Sequence, residues 1–471
     1  MKNNENLNLI KPFLKDIKAY LVGGFVRDYF LGKTSFDCDI ALSCDNVSEF
    51  VKNIAEKIEA TFVPLHEDFE IFRIVMPDKK NYFDFAKIEG KDIFEDLSRR
   101  DLTINAIAYD IKNDEFIDPY NGIEDIKNRK IKVISEKNII DDPLRIMRVF
   151  RFAATLGFEI ETQTLDIIKN NAKLINQPAK ERLTYELMKT FGGNGVANII
   201  LKMDECEVLE EIFPYFKEIK KIPNNSHHHL DLFHHLVESV NQIEKIIPEQ
   251  NEEIQNYFDE EFGSATRLAY VKLAAFLHDW GKPSTWTIEE DTSRHRFIGH
   301  DNVGAEMIKP VLADLKFSKK QIEYISNMLK YHIYPSQLAS DPNLSDKAKL
   351  RFYNKLKDNV IDVIMIAHAD RNSALGPMIT EEMVEQNKKG LQKLLEDYFV
   401  ERDRLKDLPP LLNGNEIMAI LNMKQGKELG EIVKALYNAQ IEKTVTTKEQ
   451  AIKFVKGCKR DNIDEKRRII E

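Results

Sequence analysis

The chain has 471 residues, with 68 Lys and Arg against 78 Asp and Glu, and its formal net charge of −10 argues against a generally basic nucleic-acid binder while leaving room for a local basic groove. Hydrophobic residues make up 43%, no apolar run approaches the ~20 residues of a membrane helix, and Met1 to Asn8 lack the apolar stretch of a secretory signal, so a cytoplasmic globular protein with no membrane association is expected. The four cysteines, Cys38, Cys44, Cys206 and Cys458, form no CxxC pair, which argues against a disulfide scaffold or a thiolate zinc site.

In chain order, Ala19 to Val22 reads as a short strand, broken by Gly23-Gly24, and Phe25 to Leu31 as a helix. Asp37 to Leu42 reads as a second strand, and Glu70 to Met76 with Tyr82 to Ala86 alternate like a hairpin. After Ile139 apolar residues recur at helical spacing almost to the end, punctuated by prolines such as Pro178, Pro214 and Pro335. The expected class is therefore α+β: a small α/β head followed by a long all-helical remainder.

The head carries an ordered set of polar residues. Asp37 and Asp39, two apart on a strand, share one face, and like charges held that close call for a cation between them. A pair of Mg²⁺ ions ~3.5–4 Å apart is the natural partner and suits attack on a phosphate. Gly23 and Gly24 let backbone amides and a helix N-terminus approach a triphosphate, with Arg27 as a further cation. Cys38, between the aspartates, should point to the opposite face and pack. Asp84, between Phe83 and Phe85, faces away from the core if those rings face it; it is either a third catalytic carboxylate or a surface aspartate on an edge strand.

Further on, Asp101 and Asn105 could hold a ribose hydroxyl and Arg100 a phosphate, although Asp101 could equally cap a helix. Asp118 to Gly122 reads as a structural turn. The stretch Asp141 to Arg151 reads as a helix whose three-residue spacing lines up Asp142, Arg145, Arg148 and Arg151. A carboxylate accepts from an exocyclic amine and a guanidinium donates to ring acceptors. Asp142 with Arg145 could thus read the edge of C or A, leaving Arg148 and Arg151 for the triphosphate. The bland alternative is a salt-bridged helix face.

Most of the eleven histidines crowd between Ser226 and His300. The adjacent His278-Asp279 on an apolar stretch, with distant His and Asp on other helices, suits a metal site inside a helical bundle. Imidazole and carboxylate donors fit Mn, Ni, Fe or Mg rather than thiolate zinc. His227 to His229 read as surface residues.

These residues resemble the bacterial class II tRNA nucleotidyltransferase and poly(A) polymerase family over most of the chain. The resemblance rests on Gly23-Gly24, Arg27-Asp28 and Asp37-x-Asp39, then Arg99-Arg100-Asp101 with Asn105, Asp142-x-x-Arg145, Glu181-Arg182 with Glu186, and Leu412-Asn413-Gly414. It implies Mg²⁺ at the head and tRNA, CTP and ATP as substrates. The organisation it implies is a catalytic nucleotidyltransferase head (1–133), a neck with the nucleotide-selecting helix (134–200), a helical metal-binding region (201–375) and a tRNA-binding body (376–471).

The third of these regions resembles the HD phosphohydrolase superfamily, which implies His235, His278, Asp279 and Asp370 as ligands of a transition metal or Mg²⁺, with His300 and His332 as further donors. One departure matters. Family members that add all of CCA carry a flexible loop between the third-carboxylate strand and the Arg-Arg-Asp motif. Here Ala86 runs almost directly into Glu95-Asp96, which resembles enzymes that add only CC. Two alternatives stand beside this reading, a poly(A) polymerase and a phosphohydrolase whose head recruits RNA.

Overall fold

A computed structural model describes residues 5–34, 37–66, 70–79, 81–292, 294–406 and 408–468, without the side chains of 5, 6, 37, 66, 405 and 459–468. The chain divides into two compact units. One comprises Met1–Lys217, Asp259–Tyr270 and Val311–Ser318; the other comprises Glu218–Phe258, Val271–Pro310 and Lys319–Glu471.

The first unit opens on a seven-stranded mixed sheet. Its strands are β1 (Lys18–Val22), β2 (Asp37–Ser43), β3 (Thr61–His66), β4 (Ile71–Val75), β5 (Tyr82–Lys87), β6 (Ala108–Asp110) and β7 (Glu115–Ile117), in the spatial order β3-β4-β5-β2-β1-β6-β7. Within it β2 and β5 run parallel, while β1 lies antiparallel to β2 and β4 antiparallel to β5. Alternation places Leu21, Ile40, Ile74, Phe83 and Phe85 in the core. The helix Val47–Lys57 covers that face with Val47, Val51, Ile54 and Ala55.

The expected strands and the β4–β5 hairpin are present to within a residue or two. Strand β3 is an addition. It carries Pro64, sits at the sheet edge and has a register shift between Pro64 and His66. Proline is tolerated only at such a position, and it hides the alternation from a sequence reading. From Glu136 on, the unit is nearly all helix. The helices Arg145–Leu156 and Lys180–Phe191 bury Met147, Phe150, Leu183 and Leu187.

Among its described residues the second unit is helical apart from one small two-stranded piece, Trp286–Ile288 with His295–Phe297. Its central helix Val360–Ser373 is apolar on nearly every side, as a helix surrounded by others must be, and buries Val363, Ile364, Met365 and Ile366. A small cluster nearer the C-terminus packs Leu412, Ile417, Leu436 and Val455, and the helix Gly414–Leu421 starts on a capping box between Asn413 and Glu416. Among the described residues no helix is long and apolar enough to cross a membrane.

Candidate functional site

β1 ends at Val22, opposite Asp39 of β2. The next residue, Gly23, turns left-handed at φ +67° and hands the chain to the helix Gly24–Phe30. A Cβ there would stand 3.1 Å from Asp39 Oδ2 and 3.3 Å from Arg100 Nη1. The bare backbone thus faces the carboxylate on one side and the guanidinium on the other. Gly23→Ala is expected to cost about 1–3 kcal/mol of stability from the strained φ alone. It should also lower nucleotide transfer by at least about tenfold, read as kcat/KM at a temperature where the variant is folded; a variant with full kcat/KM would show that this approach is not used.

Asp84 stands directly opposite Asp39 in the parallel β2–β5 pair. Both Oδ atoms of Asp84 accept from Arg73, at 2.7 Å each. Asp37 lies at the start of β2 opposite Tyr82, and its side chain is outside the described set. Cys38 is buried, and burial first, then Asp39 and Asp84, pushes its thiol well above the ordinary range; it packs, as expected. The donors here are hard carboxylate oxygens beside a glycine turn, a set that suits Mg²⁺.

In front of these strands is a cavity of about 360 Å³, lined by Gly23, Gly24, Arg27, Asp39, Arg99, Arg100, Asp101, Asn105, Asp142, Arg145, Arg148, Phe152 and Arg182. Six arginines face it, which supplies the local basic groove that an acidic chain needs to bind a triphosphate. They are held by a chain of polar contacts. Arg27 donates to Asp28 and, at 2.9 Å, to Asn105 Oδ1. Asn105 donates at 3.0 Å to Asp101 Oδ1, and Asp101 Oδ2 pairs with Arg148 at 2.6 Å. Burial alone would raise the Asp101 carboxyl, but Arg148 and the hydrogen bonds outweigh it and hold it below its usual value.

Three sequence expectations need amending. The helix begins at Arg145, not Asp141. Asp142 precedes it in an extended conformation (φ −140°, ψ 90°) because the residue before Pro143 is kept out of the helical region. Asp142 nevertheless reaches the cavity through this loop, 3.8 Å from Arg182 and 4.0 Å from Arg145. Second, Arg151 is not among the lining residues. It pairs at 2.8 Å with buried Glu186, which also faces Arg148 at 3.8 Å. Third, Asp101 and Asn105 are satisfied by protein partners. Residues missed as individual site members are Arg99, Arg182 and Phe152, whose ring lies under Arg27, Arg148 and Arg151 at 5.1, 5.4 and 4.1 Å. An aromatic directly after an arginine stripe is the signal that could have found it. Asp118 receives the amides of Gly122 and Ile123 and caps a turn, as read.

The second unit holds the histidine constellation. Donor atoms of His235, His278, Asp279 and Asp370 lie within 4.8 Å of one another, and those of Asp279, His300 and His332 form a second such group. His235 Nε2 is 3.2 Å from Asp370 Oδ1 and 3.3 Å from Asp279 Oδ2; His278 Nε2 is 3.2 Å from Asp279 Oδ2. His300 Nε2 meets Asp279 Oδ1 at 2.9 Å.

The Nδ1 atoms of His278, His300 and His332 sit 2.8, 2.6 and 2.6 Å from the carbonyls of Ala275, Phe297 and Leu329. A carbonyl only accepts, so each Nδ1 carries a proton and each Nε2 faces inward, the orientation a metal requires. The donor set fits a divalent cation. Lys282, one helical turn beyond, pairs with Asp279 and approaches His228 Nε2 at 3.3 Å. His228 thus lies inside the site rather than on the surface, and burial holds its pKa down. A cavity of about 410 Å³, lined in part by Arg294 and Arg296, opens onto this cluster.

Residues 19–132 match the poly A polymerase head domain, 157–220 a probable RNA and SrmB-binding site of polymerase A, and 297–455 a tRNA nucleotidyltransferase domain 2. An A-adding tRNA nucleotidyltransferase of Deinococcus radiodurans is 30% identical over 442 residues, 93% of this chain and 94% of that protein. A CC-adding tRNA nucleotidyltransferase of Thermus thermophilus is 29% identical over 450 residues, 94% of each. The fold is shared with a Thermotoga maritima CCA-adding enzyme solved with tRNA, at TM-score 0.61 and 22% identity over 97% of this chain and 96% of that one. A CCA-adding enzyme solved with CTP has TM-score 0.65 at 22% identity, with 97% and 96% covered. The head-domain match and these relatives define a nucleotidyltransferase. The chain belongs to the class II tRNA nucleotidyltransferase and poly(A) polymerase family.

Proposed function

We propose that this enzyme extends the 3′ end of tRNA by two C residues drawn from CTP and stops there. The terminal ribose hydroxyl attacks the α-phosphorus, a new O–P bond forms, and the bond to pyrophosphate breaks. Asp37 and Asp39 would hold the Mg²⁺, which would supply charge neutralisation and hydroxyl activation for that step. Gly23, Gly24, Arg27, Arg100 and Arg148 cradle the triphosphate, while Asp101 and Asn105 act by holding Arg148 and Arg27 in place. Asp142 and Arg145 offer the acceptor and donor that pair with the edge of C.

The observation that carries the CC reading is the connector after β5. Only Ile88 to Asp92 separate the strand from the helix Ile93–Ser98. Three of these five residues have their amides tied down, Ile88 to Leu42 O, Glu89 to Asp96 and Lys91 to Glu95, with Gly90 at φ +90°. So short and pinned a connector leaves little chain to reshape the pocket for a second nucleotide. A second reading, addition of all of CCA with ATP, is favoured by the Asp142–Arg145 pair, because A presents the same amine and ring nitrogen as C.

The test incubates tRNA lacking its 3′ end with CTP, ATP or both and sizes the products. Extension by two with CTP and again by two with both nucleotides is expected; extension by three with both would replace this reading with CCA addition. The cluster around Asp279 is proposed as an accessory phosphohydrolase site, in which a divalent cation bound by His235, His278, Asp279 and Asp370 would supply activated water.

A further inference from the structure

Three charged side chains occupy consecutive register positions across the head sheet: Asp39 on β2, Asp84 on β5 and Arg73 on β4. Direct cross-strand neighbours share a face. Arg73 grips Asp84 two-pronged, Nε to Oδ1 and Nη2 to Oδ2, at 2.7 Å each. This is the geometry in which a guanidinium matches a carboxylate best. The guanidinium also lies over the Tyr82 ring, 3.9 Å from its centroid, so it is held from a second side. The third carboxylate of the head is therefore the counterion of a fixed cation, one strand away from Asp39.

We propose that Arg73 is a positioning residue that sets the divalent-cation affinity of the head by holding Asp84 as an internal ion pair. The proposal rests on the reading of Asp37 and Asp39 as the metal site. With the pair engaged, the Asp84 charge is already neutralised and an incoming cation is repelled by the nearby guanidinium. The site then stays weak until a triphosphate adds its own oxygens, so cation and nucleotide load together. With Arg73 neutralised, three carboxylates would face the cation and hold it without nucleotide.

The experiment is a Mn²⁺ titration of the full-length protein without nucleotide, followed by electron paramagnetic resonance. The head sites are defined as those lost in Asp39→Asn, which separates them from the histidine cluster. Arg73→Gln is expected to tighten the head sites by at least about tenfold, the scale of removing one unit charge about 6 Å from a divalent ion at a water-like dielectric of about 80. Arg73→Gln combined with Asp84→Asn should return the affinity to within about twofold of the original. Arg73→Lys, which keeps the charge but loses the fork, should lie between, and it decides the matter if Arg73→Gln does not fold. Unchanged or weaker Mn²⁺ binding in folded Arg73→Gln overturns the proposal. If no Mn²⁺ site is sensitive to Asp39→Asn, the carboxylate metal site falls and the proposal with it.

Discussion

Replacing Asp39 by alanine is expected to lower nucleotide addition by on the order of a thousandfold or more, with little loss of stability. Asp39 is the carboxylate against which Gly23 is packed and the register partner of Asp84. Removing it deletes a proposed cation ligand and a negative charge beside the arginine-lined cavity. Its side chain points away from the core of Ile40, Phe83 and Phe85, and the smaller apolar cluster on its own face is built from Val22, Ala41 and Leu97. The measurement is single-turnover incorporation of radiolabelled CTP into tRNA lacking its 3′ end, alongside a melting curve. Near-normal incorporation by a folded variant would remove the metal site from β2.

The second large effect is expected at Asp279. Asp279→Asn keeps the shape but takes away the charge shared by His235, His278, His300 and Lys282. Divalent metal bound by this cluster should weaken by more than about a hundredfold, because a first ligand is lost where even supporting partners are worth 10–100-fold. Any phosphatase or cyclic phosphodiesterase activity should vanish with it. Nucleotide addition should stay within about twofold of the original, since additivity holds for sites with no shared partners. Metal analysis of the purified variant and the same CTP assay check both halves. If the variant loses nucleotide addition, the two sites do not act independently.

The sequence made the head legible because its signals are local. Alternation in Tyr82 to Ala86 and the glycine break after Val22 report directly on strand and turn, and the structure places both to within a residue or two. The histidine cluster was legible for another reason: buried His and Asp are too costly to keep without partners, so their density marks a site. What stayed hidden depended on contacts between distant segments. Arg73 reads as one more polar residue on β4 until β5 is laid beside it. Arg151 reads as a member of the arginine stripe until Glu186, from a helix far along the chain, claims it. His228 reads as surface until Lys282 approaches. The early start expected for the helix at Arg145 came from counting spacing through Pro143, whose effect on Asp142 outweighs the periodicity.

On the proposed reading, the arginine-lined cavity works beside a pinned connector and synthesis ends on C. The most direct measurement offers the enzyme tRNA that already ends in CC, with ATP as the sole nucleotide, and follows product length on a sequencing gel. The account predicts no extension, while the same preparation elongates the shorter tRNA with CTP. Conversion of the CC-ended tRNA to a product one A longer would contradict it.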